Sequence, residues 1–437
     1  MDRRRQRGMG LVLAAVVLLA AVGLLVLQWA EVSPSAQRGR VTARALAQAR
    51  EALIAYAADR PIDAAVGPGY LPCPDLDNDG WAEATCGSLA GDVGQEQRLG
   101  RLPWKTLGLP DLRDGHGERL WYAVSTKHKG LLHCAASRAC VDMTPPAALG
   151  TITVRDRAGH VVHDGTLADP ARAADGGAAA VVLAPGPPLV RPMPGGASLQ
   201  RRECAEGECD ARRVCTVQPP WRAGYCHAVN FLDAAPAERG GEDNADFHDR
   251  SDGARGRNGN GFIAGPVADA AGRVAVNDRI AVVAYRDLAP RVATRVALEA
   301  ALCLRAHGPA GYPAPEPACA SAGPAPAYGR VPALAAGAAC NLALRTSPTW
   351  WAAWKPFVFY APAAAAAPIR CEGGGRCLEL VDEEGRTLAK DRHFAVVVGA
   401  SAGACSTPRL RCEAGGCTQA VQAPRHRIPY DAVVAQP

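Results

Sequence analysis

Aromatic residues are scarce in this 437-residue chain, at 5%, and no basic stripe carries them interleaved. That excludes the stacking platforms on which single-stranded nucleic acids are held, so no nucleic-acid partner is expected. Charge of one sign is equally scant. Four Arg and one Asp among the first seven residues account for +3 of the formal +5, leaving +2 over everything that follows. Metal and phosphate signatures are missing too. There is no H-E-x-x-H and no Gly-rich loop ending in Lys and Ser/Thr, and the run Cys204-x4-Cys209-x5-Cys215-x10-Cys226 lacks the C-x2-C knuckles of a zinc ribbon.

What the chain does have is one long apolar run and sixteen cysteines, all of them after it. From Met9 to Leu27 every residue is Gly, Ala, Val, Leu or Met, enough at ~1.5 Å per residue to cross a hydrocarbon core of ~30 Å. Arg3, Arg4, Arg5 and Arg7 precede the run, and no comparable cluster follows Trp29. The positive-inside rule therefore expects a single-pass inner-membrane protein, N-terminus cytoplasmic, with its bulk periplasmic or in an extracellular filament. On that side thiols oxidise, so disulfides are favoured over metal. Cleavage after Ala30 or Ala36 would put Gln28 or Pro34 at the minus-three position, a poor signal-peptidase site either way. The chain instead continues as a helix: Val41, Ala45, Ala49, Leu53 and Tyr56 recur at spacings of four or three, after a break at Ser33-Pro34.

The basic leader 1–8, the junction Arg7-Gly8-Met9-Gly10-Leu11, the apolar helix 9–30 and the amphipathic helix 31–60 together resemble type IV pilins and type II secretion pseudopilins. The resemblance implies cleavage by a prepilin peptidase between Gly8 and Met9, a methylated Met9, and packing against other pilin or pseudopilin subunits. One position departs from it. Leu13 stands where most such subunits carry a Glu, a residue that some minor, tip-type pseudopilins also lack. Pro68-Gly-Tyr-Leu-Pro-Cys-Pro-Asp75, Gly100-Arg-Leu-Pro-Trp104 and Leu120-Trp-Tyr-Ala-Val124 also resemble large, uncharacterised prepilin-like proteins of Gram-negative bacteria.

Two segments repeat one order of features. Cys134-x5-Cys140, Thr151 to Val162 with Asp156-x-x-Gly159 inside, Ala178 to Gly186 and Cys204-x4-Cys209 form the first series. Cys371-x5-Cys377, Leu378 to Leu388 with Asp382-x-x-Gly385 inside, Phe394 to Ala400 and Cys412-x4-Cys417 form the second. Each Asp-x-x-Gly predicts a hairpin turn. Gly100-Arg-Leu-Pro103 and Leu120 to Val124 find counterparts in Gly329-Arg-Val-Pro332 and Val358 to Pro362, and a second helix is expected from an Asp287 cap to Arg305, with Val292, Val296 and Leu302 inward. The expected fold is therefore α+β: a long N-terminal transmembrane and amphipathic helix, then two tandem disulfide-bridged, pilin-like modules of helix plus antiparallel sheet. The modules are expected at 61–233 and 274–437, joined by a turn-rich linker at 234–273.

Three patterns invite chemistry. Asp75-Leu-Asp77-Asn-Asp79-Gly80 matches the start of an EF-hand-like calcium loop, with Glu83 at position 9 and Cys86 where a bidentate Glu belongs. The same loop also reads as an acidic turn closed by a Cys73–Cys86 bridge. Gly399-Ala-Ser401-Ala-Gly403 after an apolar strand has the form of a hydrolase elbow, but Cys405 and Pro408 follow instead of a helix, and His426 precedes Asp431. His160 and His163 flank a predicted hairpin and read as ordinary strand histidines or as a metal pair. The chain is read as a non-enzymatic minor or accessory pilus or pseudopilus component; a stand-alone binding protein or adhesin is the alternative, and an envelope serine hydrolase the outlier.

Overall fold

The computed structural model describes residues 15–21, 33–60, 67–86, 98–129, 149–167, 176–193, 196–204, 209–210, 214–215, 226–247, 261–305, 312–316, 329–332, 349–362, 378–381, 387–398, 420–422 and 432–436. The inner-membrane placement expected from the apolar run is overturned, because among the described residues no helix is long and apolar enough to cross a membrane. Of the run over 9–30 only 15–21 are described, a helical piece covering about 10 Å of the ~30 Å that a span needs. The long helix that follows carries Arg38, Arg40, Arg44, Arg50 and Glu51 and is polar over much of its surface. Gly8 and Met9 lie outside the described residues.

That helix, α1 (Pro34–Asp59), begins where a break was expected. Ser33 is its N-cap, the Ser33 hydroxyl accepting the Ala36 N–H at 3.2 Å, and Pro34 occupies the first turn, where its missing N–H costs nothing. Its buried stripe is Thr42, Ala45, Leu46, Ala49, Leu53, Ile54 and Ala57. Val41, expected inward, is exposed.

Short strands follow before the next helix: β1 (Leu99–Arg101), β2 (Trp121–Val124), β3 (Thr153–Arg155), β4 (Val161–His163), β5 (Ala178–Ala184), β6 (Val190–Met193) and β7 (Gly196–Leu199). Then come β8 (Cys209–Asp210), β9 (Val214–Cys215), β10 (Gly261–Ile263), β11 (Val267–Ala268), β12 (Val274–Val276) and β13 (Arg279–Ala284). An antiparallel sheet runs in the order β1-β2-β5-β13, and a smaller one in the order β10-β3-β4, in which β3 and β4 form a hairpin and β10 joins parallel to β3. The predicted turn is there: Gly159, at φ 90°, donates its N–H to the Asp156 carbonyl at 2.9 Å.

The next helix, α2 (Tyr285–Arg305), starts two residues before its expected cap, and Asp287 accepts the Ala284 N–H at 2.9 Å from inside the first turn. Val292 and Val296 are buried as expected, whereas Leu302 is exposed. After it come β14 (Gly329–Arg330), α3 (Thr349–Trp354), β15 (Val358–Pro362), β16 (Leu378–Val381), β17 (Thr387–Arg392), β18 (Phe394–Val398), β19 (Ala420–Gln422) and β20 (Ala432–Gln436). Their antiparallel sheet runs β14-β15-β18-β20, and a smaller one runs β17-β16-β19, again a hairpin plus a parallel third strand.

The connectivity thus occurs twice: helix, two strands, a hairpin, a central strand, a parallel partner for the hairpin, and a closing strand. The helices repeat it residue by residue. A shift of 247 positions carries the buried Thr42, Ala45, Leu46, Ala49, Leu53, Ile54 and Ala57 onto the buried Ala289, Val292, Ala293, Val296, Ala300, Ala301 and Leu304.

One apolar core joins both helices to both large sheets, drawing Leu53, Tyr122, Val182, Val296, Tyr360 and Val396 into a single cluster with Trp350, Trp351 and Trp354. Strand β5 is buried on both faces, which is why Ala178 to Ala184 reads as a continuous apolar run rather than an alternating one. Its second face meets Phe231, Phe247 and Phe262. The stretch 234–273, expected as a linker, therefore contributes to the core: β10 lies in it, and Phe247 and Phe262 stack at 4.9 Å. Likewise β13, expected in the second module, closes the first large sheet.

Candidate functional site

The acidic loop is built by three neighbours. Asp75 is held by backbone pairing with Arg101 at the open edge of β1, through N–H to carbonyl bonds of 3.0 and 2.8 Å. The Cys73–Cys86 disulfide closes the loop behind it. Gly80, at φ 91°, turns the chain where an added Cβ would sit 2.7 Å from the Trp104 indole. Asn78 also takes positive φ, and Arg119 fixes it with hydrogen bonds of 3.0 and 2.7 Å to its carbonyl and side-chain oxygens.

Inside the turn the Asp75 carboxylate accepts the N–H groups of Asp79 at 3.2 Å and Gly80 at 2.8 Å, while the Asp79 carboxylate accepts the Trp81 N–H at 2.7 Å. One carboxylate oxygen each from Asp75, Asp77 and Asp79 lies within 4.8 Å of the others, a spacing compatible with oxygens sharing one ion at ~2.4 Å. Glu83 does not join this group, and Cys86 sits in its disulfide, so the residues present supply three of the ~6–8 oxygens calcium takes. Lys105 donates to the Asp79 carbonyl and lies over the Trp81 and Trp104 rings.

Burial raises the Asp75 carboxyl to about 6, opposed by the Gly80 N–H. A carboxyl whose folded value exceeds its unfolded one stabilises the fold most at low pH, and that contribution is lost as pH rises through the folded value. In chelator, the thermal midpoint is expected to fall as pH rises from 4 to 7, and Asp75→Asn to remove its share of that fall. A bound cation demands the ionised form and reverses the sign. Thermal melts at pH 5 and 7, with and without calcium, therefore decide between an ion site and a plain turn; a calcium-insensitive profile identifies the turn.

The Asp75–Arg101 pairing has a twin that was not legible in the sequence. Glu316 pairs with Arg330 through the same two backbone hydrogen bonds, at 3.0 and 2.7 Å. Gly100 and Gly329 precede the two arginines, and a Cβ on either would strike the opposite chain at the Asp75 or Glu316 carbonyl. The arginines then stack on aromatic rings one strand away: Arg101 lies 4.5 Å from the Trp121 centroid and Arg330 lies 4.3 Å from that of Phe359. Arg101 is also 4.1 Å from Phe231, and burial pulls its guanidinium down to about 9, countered by Glu118. The Gly-Arg side of the pairing was matched in the sequence, and the partner side gave only a faint signal, Gly69-Tyr-Leu-Pro-Cys-Pro-Asp75 against Gly311-Tyr-Pro-Ala-Pro-Glu316.

Cys204 pairs with Cys226 across 22 positions, passing over Cys209 and Cys215. Cys209 and Cys215 are register partners in the β8–β9 ladder, whereas Cys204 and Cys226 both pack at the cluster that contains Phe231. Cys303 is disulfide-bonded as well. Cys134, Cys140, Cys371, Cys377, Cys412 and Cys417 lie outside the described residues, as do Ser401, His426 and Asp431. His160 and His163 do not meet: the first is exposed beside Asp156, and the second is buried with its Nδ1 3.3 Å from the Gly176 carbonyl.

Comparison of the chain with family models, with curated proteins and with solved structures finds no match.

Proposed function

We propose that this chain is a non-enzymatic, prepilin-like minor or accessory component of a type IV pilus or a type II secretion pseudopilus, made of two tandem, disulfide-bridged modules of helix plus antiparallel sheet. The observation that carries the reading is the doubled connectivity, each helix lying on its own four-stranded antiparallel sheet with the same residues of the helix turned inward. On this reading the modules meet at 284/285, where β13 runs directly into α2. The two disulfides in the described part support folding in an oxidising environment. The described polar clusters bind backbone N–H groups and carbonyls of the chain itself, which suits a rigid building block.

The partners on this reading are other pilin-type subunits, and the processing enzyme is a prepilin peptidase acting between Gly8 and Met9. N-terminal mass spectrometry of the protein from its own cells is expected to find a methylated Met9. An intact Met1 would instead support a stand-alone binding protein or adhesin, the alternative that Leu13 favours.

A further inference from the structure

Away from the acidic loop, two carboxyl groups are buried together. Asp233 follows Phe231 and Leu232 in the arm that approaches the large sheet from outside, and Asp278 sits between β12 and β13; both are all but inaccessible. They are bound crosswise. The Asp233 N–H donates to Asp278 Oδ2 at 2.8 Å, and the Asn277 N–H donates to Asp233 Oδ2 at 2.7 Å. Asn244 Nδ2 adds a bond to Asp278 Oδ2 at 2.9 Å, and Gln200 Nε2 one to Asp233 Oδ1 at 3.0 Å.

Every one of these donors is a neutral amide. The charged groups around the pair are committed elsewhere. Arg191 donates to the Leu232 carbonyl and to Asp243, and Arg202 to the carbonyls of Phe231, Pro185 and Gly186. Asp114 accepts the Gly186 N–H, Glu242 is paired with Arg155, and Glu118 faces Arg202 and Arg101. Among the described residues no cation forms an ion pair with either carboxyl, and Asp278 Oδ1 is buried with no hydrogen-bond partner there. Two ionised carboxylates in one such site repel each other and lack the solvation that either would need.

We propose that Asp233 and Asp278 carry one proton in the folded chain, on Asp278, and that this neutralisation, by removing the repulsion within the pair, latches the arm 231–247 to the β12–β13 turn. Asn244 extends the latch to β10, donating to the Ile263 carbonyl at 3.0 Å and accepting its N–H at 2.8 Å. The direction of the titration agrees. Burial raises both carboxyls, Asp233 to about 6 and Asp278 further, the latter with Asp233 adding to the rise. The folded chain then binds one proton more than the unfolded chain above the ordinary carboxylate range. Closing is favoured at low pH and weakens about tenfold per pH unit until the pair loses its proton to solvent.

The test uses the full chain in an Asp75→Asn background, which removes the raised Asp75 carboxyl, while the raised Glu118 and Glu242 remain common to parent and variant. Thermal midpoints are measured from pH 5 to 8.5, with and without Asp278→Asn, whose side-chain amide places a donor where the proton sits. The parent's midpoint is expected to fall across this range, and the variant's to fall less and to lie at or above the parent's at pH 8. A variant with the parent's slope overturns the latch. Should Asp278→Asn not fold, Asp233→Asn is measured in the same way, and the infrared spectrum of the unsubstituted chain at pH 7 decides directly: a protonated carboxyl band supports the proposal and its absence overturns it.

Discussion

Trp121→Ala is expected to destabilise the chain by about 3–5 kcal/mol, the usual cost of removing a large buried aromatic side chain. The side chain is fully buried and meets Phe231 at 5.5 Å on one side and the Arg101 guanidinium on the other. Truncation opens a cavity between the first large sheet and the arm that covers it. It also leaves Arg101, already short of a partner for its Nε, with Phe231 as its remaining ring contact beside the bond from Nη1 to the Arg119 carbonyl. Phe359 holds the corresponding place over Arg330 but is only half-buried, so Phe359→Ala is expected to cost less, about 1–2 kcal/mol. Denaturant unfolding of the two variants checks the order. Equal losses would overturn that order and show that the two Gly-Arg pairings share energetic weight as well as a backbone pattern.

Much of this architecture is legible in the amino-acid sequence. The inward stripe of α1, the Asp156-x-x-Gly159 turn and the apolar run of β5 each follow from local periodicity or turn chemistry, and such signals survive because the residues that carry them are neighbours in sequence. The acidic loop was legible for the same reason, down to the Cys73–Cys86 bridge that closes it. Expectations failed where long-range packing decided. Val41 and Leu302 fit a helical period but fall on the outer faces of their helices, since the width of a buried stripe depends on what lies across from it. The stretch 234–273 has a linker's composition and yet gives Phe247, Phe262 and strand β10 to the core, because three paired residues and two isolated aromatics leave no pattern to read. Asp233, Asn244 and Asp278 were hidden in the same way, as polar residues among turn formers whose partners lie 30 or more positions off.

Cys73–Cys86 ties the acidic loop of the first unit, whereas Glu316, at the matching place in the second, is braced by an ion pair with Lys355 at 2.7 Å. A partly exposed pair of that kind contributes little, ~1 kcal/mol at most.

Replacing both Cys73 and Cys86 by Ala is expected to cost about 3 kcal/mol, the scale for a bridge closing a loop of this length. The sequence separation is 13, and both cysteines are fully buried within the main core. Alanine leaves no buried polar atom behind, so the loss reads as the constraint plus the small cavity of two sulfurs. Two further contacts hang on the bridge: Lys129 donates its ammonium to the Cys86 carbonyl at 2.6 Å, and Asp75, two residues after Cys73, pairs with Arg101. The double variant should therefore unfold at lower denaturant concentration and expose the 67–86 segment to protease first, while α1 keeps its packing. A single substitution should be worse than the double, since it leaves one thiol without its partner, free to exchange with the remaining disulfides once the loop opens. Reductant separates the two effects when applied to both chains, since it also opens the Cys204–Cys226 bridge: if the reduced parent and the reduced double variant share one midpoint, the covalent tie accounts for the loss, and if the reduced parent stays higher, the loss belongs to the missing sulfur atoms.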